Sequence, residues 1–202
     1  MEPINKILSG AEHLFMRYGI KSMTMDSISK ELGISKKTLY QFVDNKTDLI
    51  EQVIRLHLQA ELVSLEEIRD NAKDAIDEIL GFAKYGIQQL RELNPTTIYD
   101  LQKHYRPVWD MLESLHMEQV YGFIKDNIEK GIEEGLYRRN LNPDIIAKLY
   151  GGKTVLVVNE DLFPLKDYNK EKLFEAYIQY HIHGVASAKG LKRLEKYLLK
   201  EK

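Results

Sequence analysis

No cysteine occurs among the 202 residues of this chain, which excludes disulfide bonds, thiolate metal sites and cysteine nucleophiles. No segment approaches the roughly 20 consecutive apolar residues that a membrane-spanning helix needs. The first ten residues also lack the charged flank and apolar core of a secretion signal. We therefore expect a cytoplasmic protein without a membrane partner.

An excess of positive charge is also missing, although proteins that bind nucleic acid commonly show one. The formal net charge is −2, and residues 1–48 carry seven basic and six acidic side chains. Between Gly33 and Val43, however, there are two lysines and no acidic residue. Because affinity depends on the local field at the phosphates, this short segment suffices for binding when two copies act together.

The composition that is present indicates a folded, helical protein. Hydrophobic residues make up 44% of the chain and charged residues 30%, as in globular rather than disordered proteins. Apolar residues recur three and four positions apart along most of the length, and no segment alternates convincingly as a strand does. There is no low-complexity tract and no internal repeat. The predicted fold class is all-α.

Two short helical patterns lie close together near the N-terminus. Thr24 is placed to cap a helix that runs to about Leu32, and Gly33 is placed to end it by adopting a left-handed conformation. Ser35 then caps a second helix that we predict to extend to Phe42. On this helix Leu39 faces inward, which leaves four polar side chains for solvent or a partner: Lys36, Lys37, Thr38 and Gln41. A helix, a glycine-containing turn and a second helix of this kind form a helix-turn-helix.

Further helices are predicted before and after this segment. A helix from Ile4 ends before Gly19, and another begins near Lys46 and continues past Val63, which is too long for a small first domain alone. The remaining predicted helices span 74–93, a short segment from Pro95, 107–134, 142–160 and 170–188, with a charged terminal helix after a break at Gly190.

The segment from Ile7 to Leu49 resembles the DNA-binding domain of bacterial TetR-family (TetR/AcrR-type) transcriptional regulators. The matching residues are Ala11, Phe15, Gly19, Thr24, Ile28, Gly33, Ile34, Ser35, Thr38, Leu39, Tyr40, Lys46 and Leu49. The chain departs from the family pattern in three places, with Lys37 where glycine is common, Ser29 where alanine is usual and Val43 where an aromatic residue is common.

This resemblance implies a two-domain, all-α homodimer that acts as a ligand-responsive repressor on a palindromic, double-stranded DNA operator. Residues 1–48 would form a three-helix DNA-binding domain with the helix-turn-helix. Residues 49–202 would form a helical domain for ligand binding and dimerisation, in which the last two long helices pair with those of the partner as a four-helix bundle.

Eight residues are candidates for the DNA-binding site. Lys36, Lys37, Thr38 and Gln41 are expected in the major groove, where lysine can bind guanine and glutamine can bind adenine. Phosphate contacts are expected from three others, Thr24, Tyr40 and Lys46. Ser35 completes the set as the cap of the second helix.

Dimerisation is expected through the last two long helices, which are more apolar than single solvent-facing helices need to be. Small residues there also permit close packing. The candidate interface residues are Ala147, Gly151, Val155, Tyr177, His181 and Gly184. The alternative is that these residues pack within one chain.

A small-molecule effector is expected from the resemblance, but the sequence does not identify it. Aromatic and polar residues that can line an apolar pocket occur in the middle of the chain. They are Tyr85, Tyr99, His104, Tyr105, Trp109, His116 and Tyr121. The alternative is that they form core, as aromatic residues at helical spacing usually do.

The sequence supports an enzyme less well than a transcriptional regulator. Gly151-Gly152-Lys153-Thr154 imitates the end of a phosphate-binding loop, but Ala147 stands where that motif needs glycine and no strand precedes it. His181 and His183 point about 200° apart on a helix, so they do not share one metal. We predict no catalytic residue, metal site or cofactor. The alternatives to a regulator are a non-enzymatic helical adaptor and, less favoured, a small-molecule enzyme.

Overall fold

The computed structural model describes residues 3–92, 94–157, 159, 161–164 and 166–199, without the side chain of Val155. These residues form ten α-helices and no β-strand, so the all-α prediction is confirmed. The helices are α1 (Pro3–Tyr18), α2 (Met25–Glu31), α3 (Lys36–Leu39), α4 (Lys46–Asn71), α5 (Ala75–Glu92), α6 (Pro95–His104), α7 (Arg106–Glu133), α8 (Pro143–Val157), α9 (Lys170–Val185) and α10 (Ala188–Leu198). In the described part of the chain, no helix is both long and apolar enough to cross a membrane.

The chain divides into two compact units. The first consists of Met1–Val63 and Leu93–His116, and the second of Ser64–Glu92 and Met117–Lys202. The predicted DNA-binding domain, residues 1–48, lies in the first unit. That unit also contains the first turns of α4, because these turns contribute Leu49 and other apolar residues to its core.

The core of the first unit is built mainly from the apolar faces of α1 to α4, with Leu101 of α6 and Val108 of α7. The apolar spacing of α1 is observed in part, since Leu8, Ala11 and Phe15 are buried but Tyr18, the last residue of the predicted face, is 45% exposed. Leu39 of α3 is fully buried in the same core. Full burial of a side chain of this size contributes roughly 1.5–3 kcal/mol, so Leu39 fixes which face of α3 points inward.

Helix α6 is joined to the C-terminal end of α1 by hydrogen bonds between side chains of α6 and the main chain. Thr97 Oγ1 donates to the carbonyl oxygen of Phe15 at 2.8 Å. The main-chain N–H of Lys21, just beyond α1, donates to Asp100 Oδ2 at 2.7 Å. Both Thr97 and Asp100 are buried. These bonds tie α6 to α1 and to the residues that follow α1, and they place α6 in the first unit.

A satisfied polar network crosses the core of the second unit. Tyr137 donates its hydroxyl proton to Asn127 Oδ1 at 2.9 Å, and Asn127 Nδ2 donates to Glu78 Oε1 at 3.0 Å. Lys130 Nζ lies 2.6 Å from the other carboxylate oxygen of Glu78. Burial raises the pKa of Tyr137 well above its usual value, so the tyrosine stays a neutral donor. Each buried polar group named here therefore has a partner.

The predicted helix break at Gly190 is wrong. Helix α9 ends at Val185, and α10 begins after Ser187, whose Oγ accepts a hydrogen bond from the Gly190 N–H at 3.1 Å. Gly190 therefore lies in the first turn of α10. A Cβ atom there would lie 2.0 Å from the carbonyl oxygen of Leu136, so glycine is needed for close approach rather than for ending a helix.

Candidate DNA-binding interface

The first helix of the motif, α2, begins with reciprocal caps. The Ser27 N–H donates to Thr24 Oγ1 at 3.1 Å, and the Thr24 N–H donates to Ser27 Oγ at 2.8 Å. This is a capping box with serine in place of the commoner glutamate or glutamine. The cap predicted at Thr24 is therefore confirmed.

The turn between the two helices depends on one glycine. Gly33 has φ +66°, in the left-handed region that other residues adopt only with strain. The turn is closed by the Ile34 N–H, which donates to the carbonyl oxygen of Ser29 at 3.0 Å. The chain can then begin α3 three residues after Gly33.

The second helix is capped as expected but is shorter than predicted. The Thr38 N–H donates to Ser35 Oγ at 2.9 Å, which confirms the cap. The predicted end at Phe42 is wrong, because α3 ends at Leu39. Beyond it, the N–H groups of Gln41 and Phe42 bond to carbonyl oxygens three residues earlier, at 3.2 and 3.1 Å. This tighter turn is typical of helix ends.

The candidate side chains of α3 and its following turn lie on the surface. Lys36, Lys37 and Gln41 are exposed, and Tyr40 is 43% exposed. Thr38 is partly exposed, and its Oγ1 lies 2.8 Å from the Ser35 hydroxyl oxygen. The structure therefore brings these candidates to one short segment of exposed chain.

The two adjacent lysines differ in their surroundings. Lys36 Nζ lies 2.7 Å from Asp26 Oδ1 of α2, and the hydrogen bond to this carboxylate raises the pKa of Lys36. For Lys37, no carboxylate among the described residues lies within ion-pair distance. Sequence reasoning missed Asp26, since nothing in the spacing of residues 26 and 36 indicates that the two side chains meet. If Lys36 binds DNA, it must first give up this carboxylate.

Lys46, the first residue of α4, is less exposed than a phosphate-binding lysine is expected to be. Its Nζ lies 5.9 Å from the centre of the Tyr105 ring. Burial lowers the pKa of Lys46, and the charge of Asp100 opposes that shift. This lysine therefore faces α6 and the start of α7 within the first unit.

The seven candidate effector residues are divided between the two units. Tyr99 and His104 are exposed on α6, whereas Tyr105 and Trp109 pack against the core of the first unit. His116 Nδ1 lies 3.2 Å from a carboxylate oxygen of Glu61 in that unit.

The other two effector candidates belong to the second unit. Tyr85 packs against its core, and Tyr121 donates its hydroxyl proton to Asp144 Oδ1 at 2.8 Å. Neither unit by itself brings all seven residues together, so the single pocket expected from sequence remains a prediction.

Most of the candidate dimer residues are buried in one protomer. Ala147, Gly151, Tyr177 and His181 are buried, which agrees with the alternative that they pack within one chain. Gly184 is exposed, and the side chain of Val155 lies outside the described residues. The large apolar residues that the described parts of α8 and α9 expose by more than half are others: Ile145, Leu149, Leu156 and Tyr180.

The segment from Gly151 to Thr154 lies inside α8, so these residues are helical and do not form a phosphate-binding loop. Among the residues that the structure describes, no group of three or more histidine, aspartate or glutamate side chains is placed to hold a metal ion.

Comparison with known proteins gives a consistent answer for the first unit. The model of the family described as bacterial regulatory proteins, tetR family, matches residues 7–53. The uncharacterised helix-turn-helix regulator YhgD of Bacillus subtilis is 26% identical over 157 residues, which are 71% of this chain and 78% of that protein. The transcriptional repressor KstR2 of Mycolicibacterium smegmatis is 21% identical over 190 residues, 92% of each protein.

Solved structures share the fold over most of the length. A transcriptional regulator from Cytophaga hutchinsonii superposes with a TM-score of 0.75 at 19% identity, over 91% of this chain and 98% of that one. The capped helix-turn-helix and the match to the family model agree: residues 7–53 of this chain form a DNA-binding domain of the TetR family of bacterial regulatory proteins, and relatives described as helix-turn-helix regulators extend over both units.

Proposed function

We propose that this protein is a cytoplasmic, ligand-responsive transcriptional repressor that binds a palindromic operator as a dimer. The observation that carries the proposal is the capped helix-turn-helix, which exposes Lys36, Lys37, Tyr40 and Gln41 on one short segment. In this proposal residues 1–48 form the DNA-binding domain and residues 49–202 the regulatory and dimerisation domain.

DNA reading is assigned to the exposed residues from Lys36 to Gln41, which we call the reading segment. Lys37 is a cation without a described carboxylate partner, and it can donate to guanine O6 and N7 in the major groove. Gln41 can pair with adenine through its amide. Lys36 exchanges Asp26 for DNA, while Tyr40 and Thr24 bind phosphates and so set the register. Lys46 joins them only when its side chain turns from Tyr105.

Dimerisation is assigned to the exposed apolar side chains of α8 and α9. Ile145, Leu149, Leu156 and Tyr180 are each more than half exposed, and a cluster of large apolar side chains on two adjacent helices marks an interaction surface. One α3 offers few base contacts, so two-fold pairing is needed for useful affinity. Such pairing places half-sites roughly 34 Å apart on the DNA.

A response to an effector requires a structural connection between effector binding and DNA binding. Helix α4 is continuous from Lys46, just after the reading segment, to Asn71 in the regulatory domain. An effector that binds one dimer conformation more tightly than the other shifts the population toward it. A shift of α4 then changes the spacing of the two reading segments.

A gel-shift assay with the DNA upstream of the protein's own gene tests DNA binding. We expect a sharp complex that survives an excess of unrelated DNA and weakens steeply with salt, because ion release drives phosphate binding. The non-enzymatic helical adaptor predicts no complex, or one that unrelated DNA removes equally well. Adding a metabolite panel to the same assay tests the response. If no compound changes the affinity, constitutive repression is the simpler account.

A further inference from the structure

Three exposed cations gather where the C-terminal end of α1 meets α6 in the first unit. They are Arg17, Lys21 and Lys103, which we call the α6 flank. Among the described residues, no carboxylate lies within ion-pair distance of any of the three. Arg106, the first residue of α7, differs from them because it pairs with Asp110 at 2.7 Å. The positive charge of the flank is therefore available to an anionic partner.

Contacts around Asp100 bring the two lysines of the flank together. The main-chain N–H of Lys21 donates to the buried carboxylate of Asp100 at 2.7 Å. A Cβ atom on Gly19 would lie 3.0 Å from Thr96 Cγ2, so the turn after α1 packs directly on α6. Lys103 follows Thr96 by seven positions, which places both residues on one face of α6. Lys21 and Lys103 therefore border the same contact, and the carboxylate within it is buried.

Two exposed tyrosines hold the longer side chains of the flank. The Arg17 guanidinium lies 5.0 Å from the centre of the Tyr18 ring, and Lys103 Nζ lies 5.0 Å from the centre of the Tyr99 ring. Lys103 Nζ also donates a hydrogen bond to Tyr99 Oη. A side chain that is already restricted loses less conformational entropy when it binds a partner. In this structure Tyr99, a candidate effector residue from sequence, supports a cation at the surface.

The flank borders two of the candidate phosphate contacts. Lys21 precedes Thr24 by three residues, so their Cα atoms are at most about 11 Å apart. Lys46 faces α6, with its Nζ 5.9 Å from the centre of the Tyr105 ring. Cations therefore extend from the residues before α2, past α6, to the start of α4.

We propose that the α6 flank binds DNA phosphates next to the half-site that the reading segment occupies. This inference rests on the proposed function and extends DNA binding to a surface outside the helix-turn-helix. The DNA backbone fits the flank because it is a continuous row of negative charges whose counterions protein cations replace. The flank also supplies local positive charge that the whole chain, at a net charge of −2, lacks.

A phosphate contact differs from a base contact in a way that can be measured. Phosphates are the same in every sequence, so the flank strengthens binding to all double-stranded DNA by the same factor. The flank therefore sets the affinity and its salt dependence, whereas the reading segment sets the preference for the operator.

Lys21→Ala/Lys103→Ala tests the flank in the full-length protein. Both side chains are exposed, and the bond from Lys21 to Asp100 uses the main chain, so the variant should fold. Circular dichroism checks this. Binding is measured by titrating two fluorescent DNAs of equal length at several salt concentrations, one from upstream of the protein's own gene and one unrelated.

We expect a parallel loss for both DNAs. A dimer of the variant lacks four phosphate contacts, so the salt slope should become shallower by up to about 3.6. At about 0.1 M salt, affinity should fall at least about tenfold for each DNA, and the ratio of the two affinities should not change.

Two control variants separate a phosphate contact from other causes. Lys172→Ala/Lys192→Ala removes the same charge from exposed positions in the second unit, and its affinity and salt slope should stay close to those of the wild-type protein. Lys21→Arg/Lys103→Arg keeps the charge of the flank and should retain binding to both DNAs.

Unchanged affinity and salt slope in the folded Lys21→Ala/Lys103→Ala variant would overturn the inference, and so would an equal loss in the second-unit control. A loss confined to the upstream DNA would also overturn it, because the flank would then read sequence or shape instead of phosphates. These results leave the proposed function intact, since the wild-type protein still binds the upstream DNA preferentially. A wild-type protein that binds neither DNA contradicts the proposed function, and this inference with it.

Discussion

Replacing both lysines at the start of α3 tests the proposed reading segment most directly. Lys36 and Lys37 are exposed and adjacent, and neither contributes to the core that positions α3. Lys36→Ala/Lys37→Ala should therefore leave the fold intact. In a dimer the change removes four ammonium groups from the DNA-facing surface.

The size of the effect follows from the number of contacts. One well-placed contact to a base edge contributes roughly one order of magnitude of affinity, and the dimer loses such contacts in both half-sites. Operator binding should therefore weaken at least about tenfold. Each lost phosphate contact also lowers the salt slope by about 0.9, so the slope should become shallower by about two to four.

Asp26 makes the test more specific. In the free protein its carboxylate lies 2.7 Å from Lys36 Nζ, and DNA must replace it. An exposed pair of this kind is weak, so Asp26→Asn should tighten operator binding by a factor of about two to five. The gain has two causes, since Lys36 is released and a negative charge near the phosphates is removed.

The assay is a titration of fluorescent operator DNA at several salt concentrations. Lys172→Ala/Lys192→Ala is the matched control, because it removes the same charge from exposed lysines in the second unit. Circular dichroism checks that all variants are folded. Unchanged affinity and salt slope for a folded Lys36→Ala/Lys37→Ala variant would refute the reading assignment, and an equal loss in the control would attribute it to net charge alone.

Three further predictions concern stability. Gly131→Ala should destabilise the protein by about 1–3 kcal/mol in thermal melts, because the added Cβ atom would lie 2.1 Å from the Tyr137 ring. Gly122→Ala in the same helix should be neutral or stabilising, because its Cβ atom would have no neighbouring atom within 4 Å. Asp100→Ala should cost about 1–3 kcal/mol in urea unfolding, since it removes the buried acceptor of a main-chain N–H, and an unchanged midpoint would contradict that bond. The free energy of unfolding should fall by about 3 kcal/mol as the pH drops from about 6.5 to 4, because His181 takes up a proton in the unfolded chain while burial keeps it neutral in the folded protein. His181→Phe should flatten this dependence.

Local features of the DNA-binding segment were predictable from sequence because they depend on neighbouring residues. Caps at Thr24 and Ser35 need only an oxygen three residues before an N–H, and both are observed. The turn at Gly33 needs only a residue that tolerates positive φ. The inward position of Leu39 follows from helical spacing, and the structure confirms it.

Features that depend on distant residues were not predictable. The pairing of Asp26 with Lys36 joins two helices, and the bond from Lys21 to Asp100 joins residues 79 positions apart. The break between α9 and α10 was misplaced because Gly190 does not end a helix. It is a glycine because its backbone lies close to the carbonyl oxygen of Leu136, and sequence spacing does not reveal this contact.

The sequence by itself determined the all-α class, the helix-turn-helix and the candidate reading residues, because periodicity, caps and turns act over a few residues. Only the tertiary structure decided which side chains meet. It pairs Lys36 with Asp26, divides the seven effector candidates between two units, and joins Lys21 to α6 through Asp100. Burial and pairing depend on how helices pack, and packing joins residues far apart in the chain.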